Sequence, residues 1–413
     1  MNIDLKKFEN PDVDAWKNQV LKESKNENAL KYYSEIENLN IDLSKKNISH
    51  TFNTPYDTNK GNDWDVVSYH KITDSFQKND PLIQSLEHGA NHLFLEITSS
   101  KVNWNKIFEN IVLKYIHVSI KFHKNEQINS FKRFLTHENE HLFSIEIDPI
   151  NNDYLSFFRD TSVSFLINGF CCEQIGASSY QQLALVLNSA EQVLQEINNP
   201  KRIKFHIGLG SCFFVETSKT RALKWMWTHL LKENGFDAEN TYILGSTGWK
   251  NKSLNDPNMN LLRQTTESIS GLSGGISGLL IHPVNLLSQI KTNWFNIRMS
   301  LNISHILKEE SFLSKVHDPF HGAYIVEMIT EQIIINSWEL FLVMQNNSLS
   351  ENKKMIVERI QVIRSVKEQQ FLSGEKELLG MNLFKIESKS SDSWQNIPEY
   401  LGMKFLIYEK LLK

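Results

Sequence analysis

From Leu86 onward, short runs of aliphatic, β-branched and aromatic residues alternate with longer stretches in which apolar residues recur at helical spacing. That alternation predicts parallel strands joined by helices. Eight runs read as strands: HLFLEI from His92, YIHVSIKF from Tyr115, HLFSIEID from His141, SVSFLING from Ser162, IKFHIGLG from Ile203, TYILGS from Thr241, SGLLIHP from Ser277 and FLSKVHDP from Phe312. Helical spacing covers residues 178–197, 213–233, 258–273, 286–310 and 324–345. Eight strand–helix units in roughly 250 residues is the size of a closed (β/α)8 TIM barrel, so the expected class is α/β. Residues 148–161 leave hardly any room for the helix a parallel connection needs, which predicts a short irregular crossover or a deletion there.

Residues 1–85 are polar, rich in Asn, Lys and Asp, with isolated aromatics at Trp16, Tyr32, Tyr33, Phe52, Tyr56 and Trp64, and read as an N-terminal extension. Residues 86–350 form the expected barrel, and 351–413, charged and then Ser-rich around SKSSDSW, a helical C-terminal tail. Lys+Arg 44 against Asp+Glu 48 leaves a formal charge of -4 with no basic stripe, which argues against a nucleic-acid partner. The charged N-terminal stretch, broken by Pro11, lacks a secretory signal's apolar core, and no later apolar run is long enough for a bilayer. A cytoplasmic protein with no membrane association is the expectation. Three cysteines, Cys171, Cys172 and Cys212, are too few and too clustered for a disulfide framework, so reduced thiols are expected.

Four stretches carry candidate chemistry. NGFCCEQIGA, residues 168–177, sets two cysteines at a strand-to-helix junction, but a reactive thiolate needs a nearby cation and Glu173 opposes one, so a buried pair is expected. HENEH, residues 137–141, matches a zinc-helix pattern, yet His141 opens a strand-like run where a continuous helix is required. GLGSC, residues 208–212, leads into a helix as a phosphate cradle would, without the further glycine or Lys-Ser/Thr such motifs carry, and reads as a turn. HDPFHG, residues 317–322, reads as a Pro-Gly turn. Metal ligands are not expected in any of them.

The order and spacing of NGFCCEQIGASS, FHIGLGSCFFVETSKTRALKWMW, STGWKNKSLNDPNMNLLRQTTESISGLSGG and VHDPFHGAYIVEMIT resemble the methylmalonyl-CoA mutase family, cobalamin-dependent isomerases that interconvert methylmalonyl-CoA and succinyl-CoA. Matching positions include Phe213, Phe214, Glu216, Lys219, Arg221, Asp256, Pro257, Asn260, Arg263, Glu267, Asp318, Gly322 and Glu327. The resemblance runs from about Trp64 to Gly380 and implies a barrel that holds acyl-CoA along its axis.

The departures cluster where the family binds substrate. Phe170 and Cys171 stand on a Tyr-His pair, and Glu146 on a glutamine, placing a carboxylate where an anionic substrate would be repelled. Thr241 and Ile243 stand on basic positions of the sixth strand, and Leu280 on a histidine. The family's D-x-H-x-x-G segment, which supplies the cobalt histidine, has no counterpart before Lys413. This distribution is similar to the non-catalytic small (beta) subunit of heterodimeric mutases. It implies a degenerate, blocked site at Phe170, Cys171, Glu146, Thr241, Ile243 and Leu280, and no cofactor bound by this chain alone. Adenosylcobalamin would sit in a catalytic large subunit, against which the N-terminal extension lies. The alternative implied by the same resemblance is a competent acyl-CoA mutase barrel borrowing a cobalamin-binding domain from a separate chain.

Overall fold

The computed structural model describes residues 12–26, 28–44, 52, 62–76, 78–151, 154–237, 241–288, 293–385, 394 and 396–412. Tyr56 and the serines of SKSSDSW lie outside the described residues. A helix α1 (Val13–Ser24) and a hairpin of β1 (Lys31–Ser34) and β2 (Leu39–Asp42) come first. Strand β3 (Asp65–Ile72) follows, then α2 (Asp80–Glu87), β4 (His92–Ile97), α3 (Trp104–Ile107), β5 (His117–Phe122), α4 (Asn125–Phe134) and β6 (Phe143–Ile147). Next are α5 (Leu155–Phe158), β7 (Ser164–Asn168), α6 (Phe170–Gln174), α7 (Ser179–Ile197), β8 (Ile203–Leu209), α8 (Phe213–Glu233), β9 (Ile243–Thr247), α9 (Pro257–Ser273) and β10 (Gly278–Leu280). After them run α10 (Trp294–His305), α11 (Tyr324–Gln345), α12 (Leu349–Ser373) and a small hairpin of β11 (Glu399–Tyr400) and β12 (Met403–Lys404). Strands β3 to β10 are parallel and close through β10 pairing with β3, so the chain is the expected (β/α)8 TIM barrel.

Seven strands fall where the hydrophobic runs place them. The eighth does not. Phe312 takes a left-handed conformation (φ 54°) and Leu313–Lys315 make one 3-10 turn. The ladder is already closed, leaving no edge for that segment. The missing strand is β3, inside the stretch read as an extension, so the barrel begins at Asp65 instead of residue 86. The middle of its outer face is polar: Ser68 and His70 lie 2.9 Å apart, and both contact Ser85 of α2, at 3.1 and 3.2 Å. A buried polar contact thus takes the place of the aliphatic pattern that would mark the strand.

The short link before β7 is a crossover through the single turn of α5, held by Arg202, whose guanidinium donates to the carbonyls of Phe158, Arg159 and Val163 at 2.8 to 3.0 Å. The tail is α-helical through α12 and ends on a 3-10 segment, Tyr408–Leu412. Beyond α12, Trp394, Pro398, Tyr400 and Phe405, around the β11–β12 hairpin, lie over the mouth of the barrel. In the N-terminal region Leu39 and Ile41 of β2 join the core, and Trp64 is buried with its indole N–H donating to Ser304 Oγ at 2.9 Å. Helix α1 buries none of its residues, and Trp16 and Tyr33 are exposed.

The positions matching the family motifs do structural work. Arg221 of α8, wholly buried, donates to Glu327 of α11 at 2.7 and 3.2 Å and to Asp318 at 3.0 Å. Lys252 pairs with Glu267 at 2.8 Å, and Asn260 binds Ser253 through both its backbone groups at 2.9 and 2.7 Å. Asp256 caps α9, with Pro257 in its first turn, where a missing N–H costs nothing.

Candidate functional site

Side chains alternate along each barrel strand. On β8, Ile203, Phe205 and Ile207 belong to the core under the helices, while Lys204 and His206 point to the axis. Inside the barrel Val67, Phe94, Leu166, Leu244 and Leu280 form an apolar layer. Phe94 separates His92 from Glu96 along β4, and Leu244 separates Tyr242 from Ser246 along β9. The axis therefore has two polar ends.

The C-terminal end opens into a cavity of about 1080 Å³, where barrels of this type carry their sites. Two hydrogen-bonded chains line it. In the first, Glu146 of β6 meets His206 Nδ1 at 2.6 Å, His206 Nε2 meets Ser246 Oγ at 2.6 Å, and Lys121 lies 3.8 Å from Glu146. In the second, Tyr69 donates its hydroxyl to Glu96, which also sits 2.9 Å from His123 Nε2. Burial works against the Glu96 charge, but His123 and Lys121 outweigh it and hold the carboxyl below its usual range. His282 is buried, its Nδ1 3.0 Å from the Thr247 carbonyl; burial pushes its pKa down to about 3, so it is neutral.

Phe170 stacks between imidazoles, 5.2 Å from His206 and 5.3 Å from His282, with Trp249 edge-on at 6.0 Å. Cys171 is buried and tied to Asn168, whose amide donates to Sγ at 3.1 Å and whose oxygen accepts from the Cys171 N–H at 3.0 Å. Burial lifts the thiol to about 11, so near neutral pH it is no nucleophile. Cys172 is more deeply buried still.

Four of the six positions read as degenerate, Glu146, Phe170, Cys171 and Leu280, do line the cavity. Thr241 and Ile243 do not. Ile243 is in register with Phe205 and faces the helices, while Thr241 lies before the strand begins. A one-residue difference in register reverses every side chain, so the axis side of β9 is Leu244 and Ser246, continued by Tyr242 just before the strand. Two further expectations change. Glu146 is committed to His206 and Lys121, so its charge is offset within the wall. The site is also not blocked: Phe170 and Leu280 narrow the cavity without filling it.

Glu96, Lys121, His206 and Ser246 are functional candidates that the motif spacing does not mark. A usable signal was present: Lys204 and His206 interrupt the apolar run IKFHIGL at a period of two, the mark of polar groups on the inward face. The other singled-out stretches prove local. HENEH is a turn followed by the 3-10 segment Glu140–Leu142, so its histidines share no helical face. GLGSC turns β8 into α8, with the Gly208 carbonyl accepting from Lys219 at 2.6 Å. In HDPFHG, Asp318 serves Arg221, and Gly322 supplies a positive φ of 76°. No helix among the described residues is long and apolar enough to cross a membrane.

Comparison with known proteins bears on this geometry. The family model described as methylmalonyl-CoA mutase matches residues 153–400. A methylmalonyl-CoA mutase small subunit from Porphyromonas gingivalis is 30% identical over 188 residues, 43% of this chain and 30% of that protein. Methylmalonyl-CoA mutase from Rhizobium meliloti is 27% identical over 43% of this chain and 26% of its own length. The mitochondrial enzyme from Homo sapiens is 25% identical over 55% of this chain and 32% of its own. The matched region thus spans about a third or less of each relative's length. The motif residues that join α8 to α11, Arg221 and Glu327, and that tie α9 to the loop before it, Glu267, lie inside the matched stretch, and on these grounds the chain belongs to the methylmalonyl-CoA mutase family.

Proposed function

We propose that this chain is a structural, small-subunit-like barrel that pairs with a catalytic methylmalonyl-CoA mutase subunit and does not itself carry out the isomerisation. One observation carries the reading. At the two positions that the family resemblance assigns to substrate contact, the cavity presents the Phe170 ring, which has no donor, and the Cys171 thiol, tied to Asn168. Radical isomerisation needs groups that grip the thioester and carboxylate while excluding water. Phe170 and Cys171 supply neither grip.

His206, at the centre of the cavity, does not fit a cobalt ligand. It has both ring nitrogens engaged, by Glu146 and Ser246. We assign adenosylcobalamin to the partner subunit, as the family resemblance implies. The partner surface includes α1, which buries no residue of its own and leaves Trp16 exposed, the kind of element that gains order on another surface. An interface of roughly 2,000 Å² or more is expected for such an obligate pair.

The open cavity favours the second reading, a competent barrel served by a separate cobalamin-binding chain, because its volume admits a ligand of drug-like size or larger. Co-expression with the catalytic mutase subunit of the same organism separates the two. The structural reading expects one co-eluting complex whose activity is lost when the catalytic subunit's own site is inactivated. Activity that survives that inactivation would establish the second reading.

A further inference from the structure

At the other, N-terminal end of the barrel, below the apolar layer, the first residues of three consecutive strands converge. Asp65 opens β3, His92 opens β4 and His117 opens β5. Asp65 Oδ2 lies 2.9 Å from His117 Nδ1 and 3.5 Å from His92 Nδ1, and the three ligand atoms fall within 4.8 Å of one another. Register brings them together: Val67 pairs with His92, and His92 with His117, so the imidazoles are side by side. Asp65, two residues before Val67, points to the same face.

Each group is also fixed from behind. Asn91 donates to Asp65 Oδ1 at 3.0 Å and leaves Oδ2 presented. Ser119 Oγ lies 2.9 Å from His92 Nε2, which leaves Nδ1 facing the cluster. The Tyr242 hydroxyl reaches the same point, 2.9 Å from both Asp65 Oδ2 and His92 Nδ1. Gly278 makes that approach possible, since a Cβ there would collide with the hydroxyl.

We propose that Asp65, His92 and His117 form a divalent transition-metal site, zinc by its ligand set, with water or the Tyr242 hydroxyl completing a tetrahedron. Two imidazole nitrogens and one carboxylate oxygen are borderline donors that suit zinc. Nitrogen–oxygen separations of 2.9 and 3.5 Å are close to those of ligands sharing one tetrahedral ion at about 2.0–2.2 Å. Ligation at Nδ1 puts the His92 proton on Nε2, where Ser119 Oγ accepts it, the supporting hydrogen bond that metal-bound histidines have. His117 is half-exposed and gives the ion an entry path. The charge opposing the ion is Lys204, half-buried nearby with its ammonium donating to Ser144 at 3.0 Å. At this end of a barrel a metal serves stability, clamping the starts of three strands.

The test is zinc titration of full-length, chelator-treated protein, read by metal analysis, a competing chromophoric chelator and thermal melting. Wild type is compared with His117→Ala, a half-exposed change that leaves the fold intact, and with His137→Ala/His141→Ala. We expect one equivalent of zinc, a rise in melting temperature with zinc, at least tenfold weaker binding and no rise in His117→Ala, and unchanged binding in the HENEH double variant. Sub-stoichiometric zinc on wild type, equal affinity in His117→Ala, or loss of the equivalent only in the HENEH variant would overturn the proposal.

Discussion

The ring of Phe170 lies parallel to that of His206, with centroids 5.2 Å apart and planes within 1°. The contact fixes an imidazole that already has both nitrogens engaged, by Glu146 and Ser246. A ring locked in this way serves as a wall. A wall is also what the proposed structural role needs: the cavity keeps its shape while its polar groups satisfy one another.

Cys171 provides a first test. Its thiol is buried, protonated at neutral pH and bonded only to its neighbour Asn168, so no chemistry is assigned to it. Cys171→Ala should leave the turnover of the assembled complex within twofold of wild type and cost about 1 kcal/mol in stability, typical of a single core truncation. Steady-state kinetics and denaturant melts of the same preparation check both. A large loss of turnover with assembly intact would mean that the thiol takes part.

The barrel was largely legible in the sequence because seven strands bury aliphatic outer faces, which leave an unmistakable run. Strand β3 was not, because Ser68 and His70 occupy the middle of its outer face and pack on Ser85 by hydrogen bonds, leaving Val66 and Ile72 as the apolar positions at its two ends. Phe312 to Pro319 misled for the opposite reason, since its apolar residues alternate like a strand's while the ladder has no place for one. At the site, Phe170, Cys171, Glu146 and Leu280 could be read from motif spacing, whereas Ile243 required the β8–β9 register. The metal-ligand geometry of Asp65, His92 and His117 joins residues up to 52 apart in the chain and depends on that same kind of register.

Arg221 and Glu327 should dominate the tolerance to mutation. Removing one partner of a buried ion pair strands the other charge, so Arg221→Ala should cost about 3–5 kcal/mol. Burial opposes the Glu327 charge, but hydrogen bonds from Arg221 and from the Gly322 and Phe52 N–H groups outweigh it and hold the carboxyl below its ordinary 4.5. A depressed carboxyl stabilises the fold above its unfolded pKa, and that contribution is lost as pH falls through the folded one. Glu327→Gln should therefore lower the melting temperature at pH 7 and converge on wild type below pH 4.5. A constant difference across that range would contradict the assignment.

The N-terminal segment allows a clean separation of assembly from folding. Deleting residues 1–78 would remove β3 and open the barrel, so it cannot report on the partner surface. Deleting residues 1–26 removes α1 and spares the hairpin, whose Glu37 accepts from the Ser179 N–H at 2.8 Å. The shortened chain should keep its circular dichroism and melting profile and bind the catalytic subunit at least tenfold more weakly. Unchanged affinity would exclude α1 from the interface.

The central claim, that this barrel's cavity takes no part in the isomerisation, is tested most directly by the turnover of the assembled complex carrying Glu146→Gln/His206→Asn in this chain. The double change removes the ionisable pair at the cavity's centre while keeping groups that can hydrogen-bond across it. With assembly and melting temperature verified, the account predicts a kcat within twofold of wild type. A fall of a hundredfold or more in that intact complex would place the chemistry in this barrel and contradict the account.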